Sequence, residues 1–339
     1  MKKALIFGVT GQDGTYLADF LLKKNYEVFG TFRRTSHKCF ERLEEIKIFD
    51  LVHTIKADLA DQGSIQNAIK KSDPDEIYNL AAQSFVGTSF SQPILTSDIT
   101  GLGTLRVLEA IKHQTPNVKL YQASSSEMFG NYPEIKNENS PFLPRSPYGV
   151  AKVFAHNMTK HYREAYGIFA SCGILFNHES PLRGLEFVTR RISYEIAQIK
   201  FKKRTKIHLG NLKAKRDWGF AGDYVEAMWL MLQQKTPDDY VIATGESHSV
   251  EEFLSLATEI AGLGDWHDLV EIDPEFIRPL DIDELVGDSS KARTELGWKP
   301  KVNFKKLVKM MVEHDIDYFR HYVDPFDMNY NPKSTNYFI

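Results

Sequence analysis

Cysteine is nearly absent: Cys39 and Cys172 are the only two among 339 residues. They fit no metal-ligand spacing, so no metal site is expected, and their scarcity points to a reducing compartment. Long apolar runs are missing too, and none approaches the roughly 20 residues that span a bilayer. The opening MKKALIFGVTG has a charged and apolar start. Its apolar stretch ALIFGV, however, runs at once into Gly11, Gln12 and Asp13, without the small-residue cleavage site of a signal peptide. Strong charge of one sign is also lacking. A formal net charge of -3 gives no reason to expect nucleic acid or an anionic membrane as partner. A cytoplasmic protein is expected.

What is present is ordinary for a globular chain: 42% hydrophobic and 26% charged residues. The length suits one large α/β domain plus a smaller one. Strand-like runs at 4–9, 27–32, 53–59, 76–82 and 118–123 alternate with amphipathic stretches at 16–24, 64–71, 100–111 and 148–166. Such alternation predicts a Rossmann-type, doubly wound parallel sheet with helices on both faces, and ligands at the carboxyl ends of its strands. After about residue 175 the pattern loosens. Residues 1–175, with a return near 210–245, read as the dinucleotide-binding domain. Residues 176–209 and 246–323 read as a smaller α/β lobe, and 324–339 as a polar tail.

FGVTGQDGTYLADFLL places Gly8, Gly11 and Gly14 between a strand and a helix. Glycine allows the tight turn and the close approach of a pyrophosphate to orphan N–H groups at a helix start. The spacing GxxGxxG is a loose form of the dinucleotide fingerprint, and a glycine-rich turn is the plain alternative. An NAD site would carry Asp or Glu after the second strand. Here the chain reads Arg33, Arg34, Thr35 and Ser36, which suit a 2′-phosphate and favour NADP. Asp58 and Leu59 are placed to bracket adenine, and Leu80, Ala81 and Ala82 to line the ribose side.

YxxxK sets two side chains on one helix face, where an ammonium can lower the pKa of a phenol that acts as base. It occurs as YPEIK (Tyr132, Lys136) and as YGVAK (Tyr148, Lys152). Pro133 lies inside the first, in a loop-like stretch, so Tyr132 is taken as a decoy. Pro147 opens the second near a helix start, which selects Tyr148 and Lys152. In YQASSSEMFG, Ser125 ends a strand and Glu127 follows two residues later. A carboxylate there could remove a proton made acidic by a neighbouring ketone. On local sequence alone Glu127 reads more readily as a turn residue.

The segments GVTGQDGTYLA, RRTS, NLAAQSFVGTSF, YQASSSEMFG, PRSPYGVAK, GILFNHESP, RGLEFVTRR, KRDWGFAGDYVEAMW and GDSSKARTELGWKP resemble the GDP-mannose 4,6-dehydratases, within the extended short-chain dehydrogenase/reductase superfamily. The resemblance runs over nearly the whole chain, and NHESP and RDWG are its most specific parts. It implies an NADP-dependent lyase of deoxysugar biosynthesis: C4 oxidation, elimination of water across C5 and C6, and hydride return to C6. It implies Tyr148 and Lys152 as base and support, Ser125 on the 4-oxygen, and Glu127 as the C5 base and donor to leaving water.

The same resemblance implies that Gly8, Thr10, Gly11, Gln12, Asp13, Gly14, Arg33, Arg34, Ser36, Asp58, Leu59, Leu80, Ala81, Ala82, Ser84, Tyr148, Lys152, His178 and Arg183 hold NADP. For the GDP-sugar it implies Ser84, Ser125, Glu127, Asn177, Val188, Arg191, Arg216 and Arg278, the smaller lobe being substrate-binding. A homodimer or homotetramer is implied as well. Between residues 260–263 and 271–279 the chain is shorter than in many members. The same elimination on a GDP-manno-heptose therefore stays open; a GDP-sugar epimerase or reductase is a further alternative, against which Glu127 after Ser125 argues.

Overall fold

Ala4, Leu5, Ile6 and Phe7 are all essentially inaccessible, as required of a strand covered by helices on both faces. They lie in β1 (Lys3–Phe7). The computed structural model describes residues 1–276 and 279–321; the 324–339 tail lies outside them. With β1, the strands β2 (Glu27–Phe32), β3 (His53–Lys56), β4 (Glu76–Asn79), β5 (Lys119–Ser125), β6 (Ala170–Leu175) and β7 (Asp239–Ile242) form one parallel sheet. Its order is β7-β6-β5-β4-β1-β2-β3. The winding reverses between β1 and β4, and such reversals open a crevice at the strand ends.

Alternate residues of β1 feed the two layers. Ala4 and Ile6 join Leu17, Leu21, Val225 and Met228 of the helices Gln12–Lys23 and Ala221–Leu232. Leu5 and Phe7 join Ile65, Val107, Leu108 and Tyr162 on the opposite face, from the helices Gln62–Ser72, Gly103–Gln114 and Pro147–Tyr166. Ser146 caps the last of these by accepting from Gly149 N at 3.0 Å, Pro147 opens it, and Gly167 at φ 67° ends it. The helical pattern read from residue 100 begins earlier, as a π-turn over Ser97–Leu102.

A second core unites the helices Val188–Lys200, Val250–Ala261 and Phe304–His321 through Ile192, Ile196, Phe253, Leu254, Leu307 and Met311. Beside it, Lys215–Arg216 pairs with His248–Ser249 and with Glu284–Leu285. The chain rejoins the first core over 221–242 and again around Ala292, Leu296 and Trp298. There the Trp298 indole donates to Asp223 O at 2.8 Å. This second return falls within the 246–323 stretch that the sequence pattern assigned wholly to the smaller lobe. Among the described residues no helix is long and apolar enough to cross a membrane.

His314 on the helix Phe304–His321 joins the two parts, bonded to Glu45 at 2.8 Å and Asp315 at 3.3 Å. Burial opposes its charge, but these two carboxylates lift its pKa to about 9. A group raised in the folded state contributes fully below its unfolded pKa, roughly 6.5, and loses that contribution as pH rises through its folded value. His314→Gln should therefore flatten the decline in Tm between roughly pH 6.5 and 9.5. Equal slopes in wild type and variant would show that this contact stabilises nothing.

Candidate active site

The turn leaving β1 is built around two forbidden Cβ positions. Gly8 has φ 88°, and a Cβ there would lie 3.0 Å from the Ala81 backbone. A Cβ on Gly14 would lie 2.6 Å from Val9 Cα, so the first helical turn can press against the strand exit only without a side chain. Gly11 is different: a Cβ there would meet nothing nearer than Gly8 O at 3.5 Å. The loop thus presents open backbone beside orphan helix N–H groups, an arrangement that fits a dinucleotide pyrophosphate. Arg42 braces it from outside, donating to Thr10 O at 3.0 Å and Leu182 O at 2.7 Å. No motif marked Arg42 in the sequence.

Around this loop stand the other candidate cofactor residues. Arg33, Arg34, Thr35 and Ser36 are exposed immediately after β2. The Asp58 carboxylate accepts from Ala60 N at 2.9 Å. Leu59 is buried, and a Cβ on Gly103 would lie 2.9 Å from its own Cβ. Leu80, Ala81 and Ala82 follow β4 half-buried, and Ser84 is exposed.

Asp13 and His178 form the charged centre. His178 Nε2 lies 2.7 Å from Asp13 Oδ2, and Nδ1 lies 2.7 Å from Phe176 O. Both partners only accept, so both ring nitrogens donate and the ring is an imidazolium. Gln12 donates to Asp13 at 2.9 Å and to His178 O at 3.1 Å, and Ser180 donates back to Gln12 at 2.7 Å. Burial alone would raise Asp13; His178 and Gln12 overcome it and hold the carboxyl down to about 2. Burial would lower His178, but Asp13 raises it. Arg183, close enough to act electrostatically on Asp13, His178 and Tyr148, pairs with Glu179 at 3.1 Å and lies over the Phe187 ring.

At the end of β5, Ser125 Oγ accepts from Glu127 N at 3.2 Å, and its hydroxyl stands close enough to the Tyr148 phenol to favour the phenolate. Glu127 and Tyr148 are each only 8% exposed. A Cβ on Gly149 would lie 2.8 Å from Glu127 O, so glycine next to Tyr148 lets the helix meet the strand end. Lys152 Nζ donates to Ala123 O at 2.7 Å and stands 5.7 Å from the Tyr148 ring centre. Burial lowers this lysine to about 8. Burial also pushes the phenol up to about 12, against Ser125 and Arg183. In the other YxxxK stretch, Tyr132 lies outside any helix, and Lys136 is buried with its Nζ on Glu284 O at 3.1 Å.

The remaining candidates line the smaller lobe. Asn177 Oδ1 is buried with no hydrogen bond among the described residues. Val188 opens the helix on which Arg191 follows, its guanidinium 4.1 Å from the Phe276 ring centre. Arg216 donates to Ile282 O at 2.7 Å and pairs with Asp281 at 3.2 Å. Arg278 lies outside the described residues. The structure brings Asp13, His178, Arg183, Ser125 and Tyr148 into one neighbourhood; Arg191 and Arg216 form separate arms.

The family model described as GDP-mannose 4,6 dehydratase matches residues 5–311. GDP-mannose 4,6 dehydratase 2 of Arabidopsis thaliana is 55% identical, over 93% of this chain and 87% of that protein. The human GDP-mannose 4,6 dehydratase is 47% identical, over 94% and 92%. Among solved structures, UDP-glucose 4-epimerase of Thermus thermophilus in complex with NAD superposes with a TM-score of 0.81 at 26% identity, covering 92% of this chain and 98% of that one. With its glycine turn, its buried tyrosine and carboxylate and this extent of identity, the chain belongs to the GDP-mannose 4,6-dehydratase family.

Proposed function

We propose that this enzyme converts GDP-mannose to GDP-4-keto-6-deoxymannose, with NADP regenerated in every cycle. The observation that carries the reading is the pair of buried proton-handling groups, Tyr148 and Glu127, close enough to act on one another electrostatically and beside Ser125, whose Oγ accepts from Glu127 N. Oxidation of an alcohol needs one proton acceptor. A second, acidic one beside it suits removal of a further proton from carbon. The named relatives support the substrate.

The bound nicotinamide supplies hydride acceptance from C4 and hydride return to C6. Tyr148 takes the 4-OH proton while Ser125 holds that oxygen. The ketone acidifies the C5 hydrogen, which Glu127 removes and passes to the departing C6 hydroxyl. The proton held by Tyr148 matches the one C5 needs at the end, so the sugar loses one water and no oxidant is consumed. Arg183 opposes the burial that keeps Tyr148 protonated. Arg191, Arg216 and Arg278 supply charge-assisted donors for a diphosphate, with Asn177 and Val188 beside the sugar nucleotide. Arg33 and Arg34 stand where an NAD site would need a carboxylate, which supports NADP.

Purified protein given GDP-mannose and substoichiometric NADP should form many equivalents of 4-keto product. One equivalent of NADPH per sugar would contradict dehydration, and turnover of a GDP-manno-heptose alone would change the substrate. Glu127→Gln should lower turnover on the order of 10²–10⁴-fold while calorimetry still detects GDP and NADP binding; a loss under about tenfold would remove Glu127 from the chemistry. Arg33→Ala with Arg34→Ala should weaken NADP far more than NAD, and equal weakening of both would move the 2′-phosphate contact elsewhere.

A further inference from the structure

We propose that Ser124 and His156 are a positioning pair that fixes the roll of the helix Pro147–Tyr166 against β5, and so the placement of Tyr148 beside Ser125 and Glu127. This rests on the acid–base reading above and deepens it. Ser124 opens the SSSE run, and the proposed chemistry leaves it without a task. Its Oγ lies 2.9 Å from His156 Nδ1, and both residues are buried.

Three successive residues of β5 meet three helix side chains spaced four apart. Ala123 O takes Lys152 and Ser124 takes His156 by hydrogen bonds, and Ser125 stands beside Tyr148. Apolar contacts restrain a helix only loosely in rotation, whereas hydrogen bonds have direction. A roll of roughly 10° at a side-chain radius near 6 Å moves its tip by about 1 Å. At reacting groups a shift of about 1 Å costs on the order of 100-fold in rate.

His156 is itself held on its other sides. Its Nε2 lies 3.8 Å from Asp239 Oδ2, too far for a hydrogen bond. That carboxylate is gripped by both terminal nitrogens of Arg163, at 3.0 and 2.9 Å, from the same helix. The ring of Phe142 stands edge-on to the imidazole, centres 5.1 Å apart. Burial lowers His156 to about 4, so near neutral pH the ring is uncharged and carries one N–H and one lone pair. Arg163 also donates to Ala170 O of β6 at 3.0 Å. The network therefore spans β5, β6 and β7, and it grips the helix bearing Tyr148 by side chains at two places, His156 and Arg163.

Ser124→Ala and His156→Phe should each lower kcat about tenfold to 100-fold, leaving KM for GDP-mannose and the NADP dissociation constant within about twofold. The double variant should be no slower than the worse single one, since both remove the same bond. His156→Asn, which can return a polar atom to Ser124, should recover most of the rate. In cofactor-free protein the Tyr148 ring resonances should move in Ser124→Ala and return towards wild type in His156→Asn. Ser124→Ala removes one hydroxyl and decides the matter if His156→Phe does not fold. Wild-type kcat in Ser124→Ala with unmoved Tyr148 resonances would overturn the pair, as would losses confined to KM or multiplying in the double variant. Absence of turnover in the wild type would instead refute the dehydratase reading, and the Tyr148 resonances would still judge the pair.

Discussion

The contact on which the site depends is the ion pair between Asp13 and His178. Two charges taken out of water are costly unless their remaining hydrogen-bonding capacity is met. Here Gln12, itself held by Ser180, and Phe176 O meet it, and Tyr224 stacks on the imidazolium. The pair binds the glycine turn after β1 to the segment after β6, so the seat for a dinucleotide and the start of the smaller lobe hold one register. It also cancels a carboxylate at a place proposed for pyrophosphate. Removing either partner would leave the other charge buried alone, which is far worse than losing a surface salt bridge.

From that junction the rest of the proposed chemistry follows by steric permission. Gly14 lets the first helix meet β1, and Gly149 lets the helix Pro147–Tyr166 meet Glu127 O. The second approach is what brings Tyr148 up to the strand end that carries Ser125 and Glu127. Both groups are withdrawn from water, which raises the cost of their charge but strengthens every interaction with a developing ketone. Burial lifting Tyr148 to about 12 shows the cost: the phenol needs nearby positive charge, and Arg183 supplies part of it. Lys152, through its bond to Ala123 O, also ties helix to strand.

Much of this was legible in the sequence, for identifiable reasons. The strand–helix alternation has strict periodicities, and these implied the parallel sheet and the carboxyl-end site. Pro133 against Pro147 separated the two YxxxK stretches, because one proline interrupts a turn and the other starts a helix. Glu127 was not settled locally; only its company of Ser125, Tyr148 and the family motifs favoured a base over a turn residue. Arg42 and His156 were illegible. Arg42 acts on carbonyls of Thr10 and Leu182 from a short helix with no pattern of its own. His156 gains its meaning from Ser124, 32 positions away in the chain. The second return of the chain around Trp298 has no periodicity to mark it: single apolar side chains and bonds from Trp298, Lys301 and Val302 to Asp223 carry it.

The central claim is that one enzyme-bound hydride leaves C4 and returns to C6 while water is eliminated between. GDP-mannose deuterated at C4 measures this directly. The account expects the deuterium at C6 of the product, even with unlabelled NADPH added to the solution, and a solvent-derived hydrogen at C5. Deuterium retained at C4, or released into free NADPH, would contradict it.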